Sequence, residues 1–386
     1  MLNEVQVSGR AADRAQSGHP WIYATEVVAK PAVSPGAVVR VVGPHRQLLG
    51  TAHYSSTSQI ALRLLSRRAE TVDAAFFRAR LERAAAYRRA VVSDTTAYRL
   101  VHGEGDLLPA LVIDRYGDYF VIQTLDQGMD AAKPQITEAM VTLFAPAGIV
   151  ERNDAAVRAR EGLASSVGTL YGEVPEEVEF EMHGLRLGAR LAAGQKTGVF
   201  LDQRENYLAA RRIAHGPVLD CFSYAGGFAL HLAGAGPVEA VDSSAEALEL
   251  GRANARRNRL ENIEFRQADV FDLLPQYDTA RRRFGTVVLD PPAFAKSKSH
   301  LAAAARAYKE INRRALRLLD RDGVLITCSC SHHMSEAELL QIVAEASLEA
   351  GRDLRVLERR TQALDHPILL TVPQTHYLKC LVLQVV

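Results

Sequence analysis

Two short stretches hold the side chains best suited to chemistry. Val287-Val288-Leu289 runs into Asp290-Pro291-Pro292-Ala293-Phe294-Ala295-Lys296, and Leu325-Ile326-Thr327 runs into Cys328-Ser329-Cys330-Ser331. Each reads as a buried apolar strand with a reactive end, the first in a carboxylate and a rigid proline pair, the second in two thiols. A thiol and a carboxylate on one sheet edge suit covalent attack on a pyrimidine ring. Carbon 5 of such a ring is a poor nucleophile until a thiolate adds at carbon 6 and raises the electron density at carbon 5. Loss of the carbon 5 proton and of the thiolate then restores aromaticity. Cys330 is the expected nucleophile, because it precedes a helix predicted from Glu336 whose amino terminus lowers a thiol's pKa, and because Ser329 and Ser331 flank it as donors. Cys328, on the same strand face, competes. Cys221 and Cys380 lie inside apolar strands and read as inert. Asp290 is expected to accept a hydrogen bond from an exocyclic amino group of the base and to favour protonation at ring nitrogen 3. Pro291 and Pro292 would shape a slot for a flat base, with Phe294 for stacking. The group that removes the carbon 5 proton stays open among Asp290, Lys296 and water. Cys328, Cys330, His332 and His333 match no usual zinc spacing, so no metal is expected.

A second set of polar groups sits at three other strand ends. Asp220-Cys221-Phe222-Ser223-Tyr224-Ala225-Gly226-Gly227-Phe228 closes one strand and opens a helix. Glycines there let backbone approach a ligand, and the acid accepts from an amine or a hydroxyl. Asp242 ends the next strand, where a ribose-binding acid belongs, although before Ser243-Ser244 it also reads as a helix cap. Asp269 closes the third, within reach of an exocyclic amine. The three acids line one crevice. A nicotinamide enzyme is disfavoured, since G-x-G-x-x-G is absent.

These groups require an alternating strand and helix framework, and the carboxyl-terminal half supplies it. Strands are predicted at 218–222, 238–242, 263–267, 286–290 and 324–328, and helices at 227–235, 245–258, 301–319 and 336–350, the pattern of a doubly wound sheet. A closing strand is expected over 377–386. Residues 1–68 carry short apolar runs broken by Gly and Pro, as in a small β-barrel. An Ala/Arg-rich helix over 69–92 links it to a small α+β segment reaching residue 190. The 386 residues therefore read as three domains, 1–68, 69–190 and 191–386. Residues 1–93 carry 13 Lys/Arg against 6 Asp/Glu and residues 94–190 carry 8 against 16, so a basic module precedes an acidic one. A basic module suits a polyanionic substrate, and equally a solvated surface. Four scattered cysteines exclude a disulfide framework, and neither a leader nor a long apolar run is seen, which implies a soluble, cytoplasmic protein with no membrane partner.

The strand-end motifs Asp220–Phe228, Asp242, Asp269 and Asp290-Pro291-Pro292 resemble those of class I S-adenosylmethionine-dependent methyltransferases. Phe222 and Tyr224 stand where glycine is frequent, which matches a subgroup reading D-x-F-x-x-x-G-G-F. Further patches, Gly18–Tyr23, Glu104–Pro109, Gly194–Gly198, Leu201–Asn206, Ser329-Cys330-Ser331 and Asp365-His366-Pro367, resemble bacterial 5-methylcytosine methyltransferases of large-subunit (23S) ribosomal RNA with an amino-terminal PUA domain. The resemblance spans nearly the whole chain. It implies an α/β protein: a Rossmann-like domain with a seven-stranded mixed sheet, an amino-terminal β-barrel PUA domain and a small α+β middle domain. It implies S-adenosyl-L-methionine as cofactor, leaving as S-adenosyl-L-homocysteine, and 23S ribosomal RNA as partner. Asp220, Phe222, Ser223 and Gly226 would lie near the methionine part, Asp242 and Ser243 near the ribose, Asp269 and Val270 near adenine, and Asp290 and Pro291 beside them. Lys196, Thr197 and Gln203 would contact the cofactor from the preceding segment. Pro292, Phe294, Lys296 and Arg204 would contact the substrate. The register places the nucleophile at Cys330, whereas Thr327-Cys328-Ser329 resembles the T-C-S motif of other RNA cytosine methyltransferases.

Alternatives are methylation of a guanine or adenine nitrogen through Asp290-Pro291-Pro292, and a cofactor-binding RNA-assembly factor without turnover. The arginines over 252–259 read best as a solvated helix face, and Trp21 as packing. An edge strand over 377–386, or the middle segment, offers a surface for a homodimer.

Overall fold

The computed structural model describes residues 2–192, 198–294 and 300–386, which divide into two compact units. The first comprises residues 1–181, 189–198 and 364–375. In it β1 (Glu4–Gln6), β2 (Trp21–Tyr23), β3 (Val38–Val42), β4 (Leu48–Tyr54) and β5 (Ile60–Ser66) form one sheet in the order β1-β3-β4-β5-β2, packed on α1 (Gly9–Gln16). After β2 the chain bonds back to β1, with Val28 N donating to Gln6 O at 3.0 Å and Ser8 N to Glu26 O at 2.8 Å, so the sheet closes on itself. That is the small barrel expected from its punctuation.

The next part is a second five-stranded sheet, β10-β9-β8-β7-β6, built from β6 (Ala97–His102), β7 (Leu111–Tyr116), β8 (Tyr119–Thr124), β9 (Gly148–Asn153) and β10 (Ser166–Gly172). Helices α2 (Ala74–Val91) and α4 (Lys133–Phe144) cover it, with the short α3 (Gln127–Ala131) between β8 and α4. Hairpin β11 (Val178–Met182) and β12 (Leu185–Ala189) follows. Three of the patches that carried the family resemblance meet in this unit. Trp21 Nε1 donates to Glu104 at 2.7 Å, Asp106 pairs with the buried Arg88, and Arg88 also donates to Asp365 O at 2.6 Å. A β-carbon on Gly105 would collide with Pro367. These motifs build a joint, and the half-buried Trp21 both packs against His19 and anchors that joint.

The second unit comprises residues 182–188, 199–363 and 376–386. Its strands are β13 (Val218–Cys221), β14 (Val238–Asp242), β15 (Ile263–Gln267), β16 (Phe284–Leu289), β17 (Leu319–Ser329), β18 (Leu354–Arg360) and β19 (Lys379–Val385). They form a seven-stranded mixed sheet ordered β15-β14-β13-β16-β17-β19-β18, parallel up to β17 and antiparallel about β19. All six residues of β16 are buried, as a central parallel strand requires. The helices are α5 (Arg204–Ile213), α6 (Gly227–Leu232), α7 (Ala245–Arg257), α8 (Val270–Thr279), α9 (Leu301–Leu318) and α10 (Glu336–Ala350). Strand order reverses at β13, so the carboxyl ends of β13, β14 and β16 open a crevice.

The structure corrects one expectation and adds several elements. The closing strand is no edge: β19 is paired by β17 on one side and β18 on the other. Its backbone donors are spent within the sheet, which removes it as a dimer surface. Helix α8 forms despite Pro275, and α5 and β18 also exceed the sequence reading. Among the described residues no helix is long and apolar enough to cross a membrane.

Candidate functional site

The loop after β13 is held in an unusual backbone state. Phe222 and Tyr224 have φ of 62° and 50°, and Gly226 has φ of 80°. Left-handed backbone costs little at glycine and about a kcal/mol or more elsewhere, so the two aromatic residues keep the loop a glycine would permit. Each gains packing in return. Tyr224 sits edge-on to Phe200, centroids 5.2 Å apart, and Phe222 joins Phe271 and Phe294. The turn at Phe222 also ends β13 one residue earlier than expected.

Asp220 is fully buried at the end of β13. One oxygen accepts from Ala229 N at 2.9 Å, and the other, Oδ1, has no hydrogen-bond partner among the described residues. Burial holds this carboxyl well above the usual carboxylate range against the pull of the Ala229 N–H, and the nearby Asp290 and Asp242 add to the rise. Ser223 Oγ is likewise buried without a partner among the described residues, and Gln203 Nε2 has only the Cys328 thiol near it. Buried polar atoms of this kind are rare unless a ligand or water satisfies them. Asp220 therefore fits an ammonium, and Ser223 and Gln203 fit further polar groups of an amino acid moiety such as the methionine part of S-adenosylmethionine.

Asp242 orders the loop from the neighbouring strand. Its two oxygens accept from Tyr224 N and Ser244 N, both at 2.9 Å, while Ser244, and not Asp242, caps α7. Each carboxylate oxygen has a second lone pair, enough for a pair of ribose hydroxyls. Ser243 follows directly, its carbonyl accepting from Gln267 at 3.0 Å. Asp269 caps α8, accepting from Phe271 N at 2.8 Å, and Val270 is buried in the core beneath.

Cys330 lies just past the end of β17, partly exposed, with Sγ 4.0 Å from Pro291 O. This brings the thiol beside the Asp290-Pro291-Pro292 turn. The other three cysteines are buried. Burial first, and then the adjacent Cys380, push the Cys328 thiol well above its normal value, which keeps it protonated. Phe294 is tilted against Tyr308 at 4.8 Å and Phe271 at 5.8 Å, so part of its ring area is already used within the protein. Tyr308 Oη lies 3.3 Å from Ser331 Oγ, and burial pushes it up to about 12.

Two features expected to activate Cys330 are otherwise engaged. The amino terminus of α10 carries its own capping box, Ser335 with Glu338, and two glutamates in its first turn. Ser329 and Ser331 are fully buried, Ser331 facing Tyr308. Instead Lys379, on β19 opposite Ser329, donates to Ser331 O at 2.7 Å and Tyr377 O at 2.8 Å. Its one sequence signal is a charge within the apolar run Leu378-Lys379-Cys380-Leu381-Val382.

Of the remaining predicted residues, Arg204 is buried at the start of α5 beside Glu205. Asp202 accepts from Tyr377 Oη at 2.7 Å. The buried Tyr207 was not legible; it stacks on His231 and donates to Phe200 O at 3.3 Å beneath the loop. Lys196, Thr197 and Lys296 lie outside the described residues. Arg252 and Arg257 of α7 bond within their own surroundings, to Glu249 and Asn254.

Comparison with known proteins identifies the family and the fold. Residues 5–67 match a PUA-like domain model and residues 214–369 a methyltransferase domain model. Ribosomal RNA large subunit methyltransferase I of Tolumonas auensis is 42% identical over 381 residues, covering 95% of this chain and 96% of its own. The Klebsiella pneumoniae protein of the same name is 40% identical over 371 residues, covering 94% and 93%. A Streptococcus mutans structure assigned as a SAM-dependent methyltransferase shares the fold at a TM-score of 0.84, with 22% identity over 99% of this chain and 100% of that one. The structure of SMU.776 with SAH has a TM-score of 0.85 at the same identity and coverage. Coverage of more than nine-tenths of both chains at this identity makes the chain a member of the ribosomal RNA large subunit methyltransferase I family.

Proposed function

We propose that this protein uses S-adenosyl-L-methionine to methylate carbon 5 of a cytosine in large-subunit (23S) ribosomal RNA, with Cys330 as covalent nucleophile and Asp290 as the group that orients and polarises the base. The observation that carries this reading is the meeting of the partly exposed thiol with the Asp290-Pro291 turn at the mouth of the crevice.

Bound S-adenosyl-L-methionine supplies the electrophilic methyl group. Asp220, Ser223, Gly226 and Gln203 would hold its methionine part, Asp242 and Ser243 its ribose, and Asp269 with Val270 its adenine side. Lys196 and Thr197 are assigned to the same pocket by resemblance alone. Cys330 attacks carbon 6 of the base; Asp290 accepts from the exocyclic amine and stabilises the protonated ring as thiolate adds. Pro291 and Pro292 fix the wall of the slot, Phe294 offers its free edge, and Lys296 and Arg204 are assigned to the RNA. A duplex hides the reacting carbons, so the target is single-stranded or flipped out, at roughly a few kcal/mol. The basic barrel offsets that cost by phosphate contacts, which makes binding salt-dependent.

A reactive thiol must remain reduced, which supports a cytoplasmic location. In this reading a homodimer would pair through β10, an outer strand with Val167 and Tyr171 exposed. The test is Cys330→Ala: S-adenosylmethionine binding persists and methyl transfer to ribosomal RNA stops. Nucleoside mass spectrometry should give 5-methylcytosine, and a methylated purine nitrogen would overturn the proposal.

A further inference from the structure

Lys379 has no place in the chemistry described so far, yet it is a buried cation bonded to the residue that follows the reactive thiol. Only 3% of its surface is exposed. Of its three donors, two are used by the carbonyls of Ser331 and Tyr377, at 2.7 and 2.8 Å. Ser331 is the residue after Cys330, and the Lys379 backbone pairs with Ser329, the residue before it, across β17–β19, so the ammonium is tied to the cysteine turn. Placing an ammonium there is costly unless a negative group repays it. The groups of opposite sign that act on it are Cys330 and Glu338, while burial pulls it down to about 8.

We propose that Lys379 is the positioning residue that makes Cys330 a thiolate at neutral pH, holding the cysteine turn through the Ser331 carbonyl and placing its ammonium as counter-charge to the sulfur. The inference rests on the reading of Cys330 as nucleophile. In the step itself the S–H bond breaks, its proton passes to water, the electron pair stays on sulfur, and the lysine keeps its proton. The helix that would ordinarily do this, α10, is capped by Ser335 and carries Glu336 and Glu338 in its first turn, so its end offers no net positive field. Other charged or titratable groups face the pair. Asp290 follows β16, Tyr308 comes from α9, Glu338 from α10, His332 and His333 from the turn after β17, and Tyr377 precedes β19. Burial and the Lys379 charge lower His332, and Tyr308 is held neutral, so the one carboxylate that acts on the lysine beside the thiol is Glu338.

Alkylation of the folded, full-length protein by iodoacetamide tests this without RNA or donor. Cys221, Cys328 and Cys380 are 0 to 1% exposed, so the fast-reacting thiol is Cys330, verified by peptide mass. The wild-type rate should titrate with a midpoint below the ordinary thiol value of about 8.5. Lys379→Met should raise that midpoint by about one to three units, about tenfold or more less thiolate at pH 7. Lys379→Arg, which keeps the charge, should stay near wild type. The acid limb of the methyl-transfer pH profile should move in step with the alkylation midpoint across the series. Equal midpoints in wild type and Lys379→Met overturn the inference. If the Met variant does not fold, a wild-type midpoint at or above 8.5, or an unperturbed-thiol midpoint in Lys379→Arg, overturns it. Methyl transfer by Cys330→Ala instead overturns the nucleophile assignment, and leaves the charge measurement standing.

Discussion

Asp220→Asn separates a cofactor contact from a structural role. The buried carboxyl has one oxygen on Ala229 N and one with no partner among the described residues. Asparagine keeps an acceptor for Ala229 N–H, so the start of α6 stays anchored. It replaces the second oxygen by an amide that cannot attract an ammonium. A hydrogen bond to a charged group is worth about 1.5–3 kcal/mol, which is about a ten- to hundredfold rise in Kd for S-adenosylmethionine. The apoprotein should not suffer, because the substitution removes a carboxyl whose ionised form is disfavoured by burial. Calorimetric titration should thus show weakened binding at an unchanged or higher Tm. The wild type adds a linkage: a cationic ligand favours the ionised carboxyl, so binding releases a proton and tightens as pH rises. Titration in buffers of different ionisation enthalpy reads that proton directly. An asparagine variant that binds within about twofold of wild type refutes the assignment of Asp220 to the ligand.

Two further outcomes concern packing and acid stability. In Gly227→Ala the new β-carbon would lie 2.6 Å from Cζ of Tyr207, which is wedged between Phe228 and His231; overpacking should cost about 1–3 kcal/mol and loosen cofactor binding, whereas Gly234→Ala, with open space at its β-carbon, should leave the Tm unchanged. Burial lowers His231 to about 4 and His53 to about 3. Below pH 6.5 the unfolded chain binds the protons these folded imidazoles refuse, so stability should fall from pH 6.5 towards 4, by up to about 3 kcal/mol for His231. Asp126, raised by burial to about 6, binds its proton more readily when folded and opposes part of that loss in the first unit. Urea titrations at pH 7, 6 and 5 check the sign, and a flat profile contradicts it.

The sheet was legible where strands are uniformly apolar and end in polar residues. β14 and β15 match the reading residue for residue, and β16 and β17 were placed correctly but for their ends. Helix α8 escaped because Pro275 reads as a breaker; six residues in, it forfeits one backbone bond that burial of Leu273, Leu274 and Tyr277 outweighs. The position of β19 escaped because strand order is not written in local pattern: an apolar closing strand looks the same at an edge as between β17 and β18. Among site residues, the strand-end acids and Cys330 were visible from their types and spacing. Lys379 was not, since Ser331, whose carbonyl it meets, lies 48 residues away in sequence and comes beside it only through the β17–β19 pairing. Nor was the engagement of Ser329 and Ser331, which depends on Tyr308 approaching from α9.

A covalent bond between Cys330 and the cytosine it helps to methylate can be trapped directly. Large-subunit ribosomal RNA transcribed with 5-fluorocytidine has fluorine where the departing proton should be, so the adduct cannot eliminate. With S-adenosylmethionine present, a denaturant-stable protein–RNA complex should form whose cross-linked peptide contains Cys330, retained in Cys328→Ala and lost in Cys330→Ala. A cross-link at Cys328, or 5-methylcytosine still formed by Cys330→Ala, would contradict it.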